Sequence, residues 1–325
     1  MTTELAGLWL EIDQTVLAAG AVQRRVLPKS KHDCFIGAHR PTGDRFLDLR
    51  LIDQSQPPTT PVPGTQALKV ATRDHGESFE IQLRLVSESF LALFDDLIID
   101  LLEVVSADLG AGTASAVLAR LRAWMSFWSR GADVMGKDRA AGLYGELVVL
   151  EELVAALGDS VAVTAWTGPD LQSQDFQLPQ GAIEVKTSRG SGTPRVTISS
   201  EKQLMTKPSG KLWLSVIGLD QRAQGPGETI DDIVQRLRLM ITGATSDAEF
   251  KVNLIDAGLV GEAPDVRTEK YTTTYRADFR VSPEFPRLVP GSLPLGVSKV
   301  SYELDTAVLA PHLIVAPDVK ELMSP

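Results

Sequence analysis

Residues Asp175 to Lys186 constrain the fold of this chain more than any other stretch. Asp175-Phe176-Gln177-Leu178 and Ala182-Ile183-Glu184-Val185-Lys186 are short runs of alternating apolar residues, separated by Pro179-Gln180-Gly181. That punctuation predicts a β-hairpin. Successive strand side chains point to opposite faces, so Glu184 and Lys186 project together while Ile183, Val185 and Thr187 face the core. The hairpin brings Asp175 close to both. Two carboxylates and an ammonium on one sheet face, with a backbone carbonyl between them, make a site for Mg²⁺ and a water, the equipment of a metal-dependent phosphodiesterase.

The flanking sequence adds a third carboxylate. Leu143, Leu147, Leu150, Val154 and Leu157 recur at helical spacing up to Gly158, and Glu146 lies on that apolar stripe. An unpaired buried carboxylate costs several kcal/mol, so Glu146 needs either a structural ion pair or a metal. A helix leading into a hairpin with two more acids favours the functional reading. Beyond the hairpin, Lys186, Arg189, Arg195, Lys202, Lys207 and Lys211 make a locally basic run opposed by Glu184 and Glu201. Such a run is ordinarily a solvated face; here it surrounds the proposed site.

A length of 325 residues and 43% apolar content supply two or three cores. A net charge of −10 and a pI near 5 argue against coating nucleic acid by bulk electrostatics, while leaving room for a local groove. No window approaches the roughly 18 uninterrupted apolar residues of a membrane helix, and Met1-Thr2-Thr3-Glu4 lacks the basic start of a signal peptide. The expected setting is the cytoplasm, away from membranes. Cys34, the single cysteine, agrees with a reducing compartment and argues against a thiolate zinc site.

Along the chain, apolar residues over 3–20 predict a short helix, and Cys34-Phe35-Ile36 and Phe46 to Leu51 flank a turn at Pro41-Thr42-Gly43-Asp44. With Leu68-Lys69-Val70 and Phe79 to Val86, and a Pro- and Thr-rich loop from Gln56 to Gly64, this predicts a small antiparallel sheet over 30–86. Helices follow from Ser89 and over 114–130, the latter carrying an aromatic stripe best read as core. A loop of small residues over 131–141 separates an N-terminal sheet-and-helix region, 1–135, from a second region, 136–325. After the hairpin, Val196-Thr197-Ile198 is expected to extend the sheet, Ser199 or Ser200 to cap a helix through Leu204, and Leu212 to Ile217 to form a buried strand. Gln221 to Glu228 is a loop, 230–241 and 247–259 are helices, and Tyr271 to Val281 and Val297 to Leu304 are strands.

The order Gly145-Glu146-Leu147, then Asp175-Phe176, then Glu184-Val185-Lys186-Thr187 resembles the PD-(D/E)XK nuclease superfamily over about 140–220. With Phe285-Pro286-Arg287-Leu288 and Tyr302-Glu303-Leu304 the likeness extends over nearly the whole chain to a bacterial family of PD-(D/E)XK motif proteins of unknown function. The resemblance implies an α/β fold (α+β overall), in which a restriction-endonuclease-like core has a central mixed sheet flanked by helices, beside an N-terminal antiparallel β region with helices and before a C-terminal strand extension. It implies that Asp175 and Glu184 ligate Mg²⁺, or Mn²⁺ in its place, with the Val185 carbonyl facing the metal. Lys186 would orient or activate the attacking water, Glu146 would supply a helix carboxylate able to bind a second metal, and Gln203 would match a glutamine on the helix after the hairpin in the RecB-like branch. Pro169-Asp170 also fits the letters of the signature, but Asp170 precedes a polar run whereas Asp175 begins an alternating strand, so Asp175 is preferred. The implied partners are DNA and, in restriction or phage-defence loci, methyltransferase or ATPase subunits; cutting both strands of a duplex further suggests a homodimer.

Other motifs are weaker. Gly131 to Lys137 fits Gly-x-x-x-x-Gly-Lys, but Asp138 stands where a phosphate-binding loop needs Ser or Thr, and a helix precedes it. His32, Asp33, His39 and His75 are scattered near the N-terminal sheet, more often a surface pattern than a metal site. Two readings therefore stand: a Mg²⁺-dependent DNA endonuclease of a restriction or defence system, and a catalytically silent nuclease fold serving as a DNA-binding or scaffolding subunit.

Overall fold

The computed structural model describes residues 2–52, 62–107, 110–129, 135–167, 173–190, 194–206, 210–260, 264–315 and 317–323. Asp170, Lys207, most of the Gln56 to Gly64 loop and Gly131 to Val134 fall outside them. The chain forms two compact units, 1–133 with 258–261, and 134–257 with 262–325.

In the first unit, helix α1 (Thr2–Gln14) precedes strands β1 (Gly20–Val26), β2 (Asp33–Arg40), β3 (Arg45–Ile52), β4 (Leu68–Asp74) and β5 (Ser78–Leu85), then helices α2 (Leu91–Ser106) and α3 (Thr113–Ser129). The strands form one five-stranded antiparallel sheet in the order β1-β2-β3-β5-β4. The α1 periodicity buries Leu5, Trp9 and Ile12 but stops there: Val16 is 97% exposed, and the helix ends before it instead of reaching residue 20. β1 was not legible because its run Val22-Gln23-Arg24-Arg25-Val26 alternates weakly and carries two arginines on an edge strand. In α2, Phe94, Leu97, Ile98, Leu101 and Val105 are buried at intervals of three and four. Asp100 ties α2 to α3, accepting from Arg120 and from the Trp124 indole at 2.9 and 2.8 Å.

The second unit opens with α4 (Lys137–Leu157) and α5 (Asp159–Ala165), followed by β6 (Phe176–Leu178), β7 (Gly181–Arg189), β8 (Arg195–Ile198) and β9 (Lys211–Arg222). Helices α6 (Ile230–Met240), α7 (Ala244–Asp256) and α8 (Pro264–Arg267) and strands β10 (Lys270–Arg280) and β11 (Tyr302–Asp305) complete it. Its sheet is mixed, β10-β9-β7-β6, with β7 and β9 parallel and the other pairs antiparallel. This is the expected α+β architecture of a central mixed sheet with flanking helices. α4 begins at Lys137, inside the stretch expected to be loop.

Two expectations fail here. Val196 to Ile198 does not extend the central sheet, because β6 and β9 already occupy both edges of β7; β8 pairs instead with β11 in a separate two-stranded sheet. No helix follows Ser200: residues 201–204 are turns, and the Gln203 side-chain oxygen accepts from the Ser199 N–H at 2.8 Å. A segment this short gains too few helical hydrogen bonds to offset nucleation.

Both faces of the mixed sheet are covered. Ala182, Leu212, Leu214, Val216 and Phe279 join Val196, Ile198 and Leu304 of the two-stranded sheet in one core. On the opposite face α4 crosses β7 and β9 at Gly145, where an added Cβ would lie 2.4 Å from Thr187 Cγ2 and 3.6 Å from both Val185 Cγ1 and Ile217 Cδ1. A Cβ on Gly142, one turn earlier, would meet nothing within 4 Å. Gly145→Ala is therefore expected to lower stability by about 1–3 kcal/mol through overpacking. Gly142→Ala should raise it by about 0.5–1 kcal/mol through helix propensity. Urea midpoints of the two variants check this; equal shifts would contradict the close approach of α4.

Candidate functional site

The hairpin turns between Leu178 and Gly181, and its antiparallel register pairs Phe176 with Ile183. One step further along that register sets Asp175 opposite Glu184, on the same face. The Asp175 Oδ2 accepts from the Val185 N–H at 2.6 Å, which locks the carboxylate to β7. Lys186, two residues along the same strand face, places its Nζ 2.8 Å from Glu184 Oε1.

Glu184 is fully buried, and neither carboxylate oxygen has a hydrogen-bond partner among the described residues. Its contact with Lys186 is close, but not aligned as a hydrogen bond. The cause is the layer formed by β8 and β11, which covers the strand face that carries Ala182, Glu184 and Lys186. Lys186 is near enough to Tyr302 of β11 to affect its phenol. Sequence alternation assigns only Ile183, Val185 and Thr187 to the core; the opposite face is covered as well.

Glu146, on α4, is partly buried, and its Oε2 accepts from the Trp166 indole at 2.9 Å. Burial first, and then the charge of Asp175, push its carboxyl up to about 8, against the pull of Trp166, Lys186 and Arg139. Burial raises Asp175 too, opposed by Lys186 and the Val185 N–H. Glu184 is raised well above the ordinary range by burial and then by Asp175. The same four residues thus act on one another electrostatically: Glu146, Asp175, Glu184 and Lys186 share one corner of the fold, with carboxylates in excess of cations.

Glu146, Asp175, Val185 and Lys186 line a groove of about 1120 Å³. Glu184 lies beneath it. Gln203 does not line the groove, and its side chain is used in the turn at Ser199. Arg189 and Arg195 also border the groove, Arg189 paired with Asp138 and Arg195 lying 3.6 Å from Asp305. Lys137, the last residue of the Gly-x-x-x-x-Gly-Lys match, opens α4 and pairs with Glu269, a structural role. The histidines are also structural: His32 Nδ1 accepts from the Ile52 N–H at 3.0 Å, His39 packs on Phe46, and His75 pairs with Glu80.

The donor set fits a hard divalent cation. Glu184 offers carboxylate oxygens against which only Lys186 is set among the described residues, at 2.8 Å, Asp175 lies opposite it, and the lysine offsets part of the negative charge. Among the described residues no three His, Cys, Asp or Glu side chains gather in metal-holding geometry. A pair of carboxylates with positions left for water and phosphate is the arrangement that suits Mg²⁺.

Trp166 and Gln174 were not singled out by the sequence, since neither belongs to a periodic run. Gln174 is buried, and its amide donates to the carbonyls of Lys202 and Gln203 at 3.1 and 3.0 Å, fixing the 201–204 turn beside Asp175. Among the described residues no helix is long and apolar enough to cross a membrane.

A carboxyl raised in the native state binds protons that the unfolded chain, with an ordinary glutamate pKa of about 4.3, has released. For Glu146 that difference spans roughly pH 4.5 to 8, and across it the native state loses stability as pH rises. In chelator, the urea midpoint of the wild type should fall more steeply from pH 5 to 8 than that of Glu146→Gln. Parallel slopes would contradict the raised carboxyl.

Searches of curated proteins and of solved structures returned no match. One family model, described as "Putative PD-(D/E)XK family member, (DUF4420)", matches residues 5–307. PD-(D/E)XK nucleases generally use divalent metals, in keeping with the donors found here. With the acid pair, the adjoining lysine and the mixed sheet that presents them all in place, and the match spanning nearly its whole length, the chain belongs to this PD-(D/E)XK family.

Proposed function

We propose that the protein is a divalent-metal-dependent phosphodiesterase that cleaves DNA as part of a prokaryotic restriction or phage-defence system. The observation that carries this is the placing of Asp175, Glu184 and Lys186 at one corner beside a groove, with Glu184 fully buried against the Lys186 ammonium at 2.8 Å.

A divalent cation at Asp175 and Glu184, Mg²⁺ or Mn²⁺, would neutralise phosphate charge and make a bound water more acidic. The chain's own groups supply the rest. The Val185 N–H holds Asp175 in place, and the Val185 carbonyl is a further candidate donor. Lys186 brings a positive charge to the groove wall, where it would hold an attacking water or a phosphate oxygen. Glu146, across the groove lining on α4, offers a carboxylate for a second cation or for a proton.

The groove lining itself favours cation dependence. It carries Lys186, Arg189 and Arg195 against Asp138, Glu146, Asp175, Asp220 and Glu303. Even with Glu146 protonated the lining holds one more carboxylate than it has cations, which repels a polyanion, and a divalent cation removes that excess. DNA binding should therefore require the metal. Methyltransferase or ATPase partners, and a homodimer that sets two sites on a duplex, belong to the same reading.

The burial of Glu184 beneath Lys186 favours a second reading, in which the pair is structural and the fold is a silent DNA-binding or scaffolding subunit. Cleavage separates the two. Purified protein with Mg²⁺ or Mn²⁺ should cut methylated or unmethylated DNA, and Asp175→Asn and Lys186→Ala should each lose about 10²-fold or more of the rate. Equal cleavage by wild type and both variants would remove the site from consideration. Metal-dependent DNA binding without cleavage would favour the scaffold.

A further inference from the structure

Trp166 stands where two of the site's carboxylates meet the rest of the fold. It is 1% exposed, its ring lies 6.0 Å from that of Phe250, and its carbonyl accepts from Asn253 at 2.9 Å. Those contacts on α7 hold the indole still. Its Nε1–H then donates to Glu146 Oε2 at 2.9 Å, and its backbone bridges to Phe176, next to Asp175. The adjoining Thr167 N–H donates to the Asp175 carbonyl at 3.1 Å, and its hydroxyl donates to the Gln174 carbonyl at 3.2 Å. One dipeptide therefore orients the helix carboxylate by a side chain and the strand carboxylate by its backbone.

We infer that Trp166 is a positioning residue that fixes Glu146 relative to Asp175 across the groove. This rests on the nuclease reading only for its effect on rate. An indole N–H has one donor and no acceptor, so it can hold a carboxylate oxygen without competing for protons or cations. Phenylalanine at this position keeps most of the ring volume and removes the donor alone. Without it Glu146 keeps its place on α4 but not its rotamer, and groups that orient a site's donors typically contribute about 10–100-fold to activity.

The test has two readouts. With ¹⁵N-labelled tryptophan at pH 9, above the raised Glu146 carboxyl, the indole resonance that disappears in Trp166→Phe identifies Trp166, and in Glu146→Gln it should move upfield as a charged acceptor becomes neutral. A resonance unmoved by Glu146→Gln would overturn the inference, whether or not the protein cuts DNA. In the cleavage assay, Trp166→Phe should lower kcat about 10–100-fold with KM within about twofold, and should cost nothing further when added to Glu146→Gln. Additive losses, or an unchanged kcat in Trp166→Phe, would make Trp166 a packing residue and overturn the inference. Wild-type protein that fails to cut DNA would count against the nuclease reading, and the indole shift would then decide the positioning role alone.

Discussion

The structure of the second unit turns on one buried carboxylate. Glu184 sits in the middle of a strand whose two faces are both covered, and among the described residues its oxygens meet only the Lys186 ammonium, at 2.8 Å. A buried charge so poorly satisfied costs several kcal/mol unless it takes up a proton or a cation. Its acidic neighbours raise that cost: Asp175 lies opposite on the same face, and Glu146 adds to the repulsion. Lys186 offsets only part of it. Carboxyls raised in this way, gathered at a groove, are what make the corner a candidate site for a proton or a cation.

The surrounding fold exists to hold that geometry. Gly145 lets α4 approach β7 closely enough to bring Glu146 beside the hairpin. The Val185 N–H locks Asp175, and the Trp166-Thr167 pair fastens Glu146 and the strand that begins after Asp175. On the other side, β8 and β11 seal the strand face that carries Glu184, while Lys186 reaches the groove. Water is thus kept from one carboxylate while the next residues stay open to the groove.

Much of this was legible in the sequence, for identifiable reasons. The hairpin could be read because Pro179-Gln180-Gly181 breaks two alternating runs, and the phase of Glu184 and Lys186 follows from a period of two. The long helices could be read from apolar spacing, as at Phe94, Leu97, Ile98 and Leu101. Pairings between distant segments could not. β8 looks like a neighbour of β7 until Tyr302 to Asp305, about a hundred residues later, claims it. Gln203 fell on an expected helix because capping residues precede it, yet its own side chain closes a turn. Trp166 belongs to no pattern; only its contacts in three dimensions give it a part.

Cation binding by the isolated protein tests the central claim most directly. Calorimetric titration of metal-free wild type with Mn²⁺ should show binding near neutral pH, weakened at least about tenfold in Glu184→Gln and in Asp175→Asn. Binding unchanged in both variants, or absent from the wild type, would show that the charge buried at Glu184 is balanced by Lys186 alone and that the account is wrong.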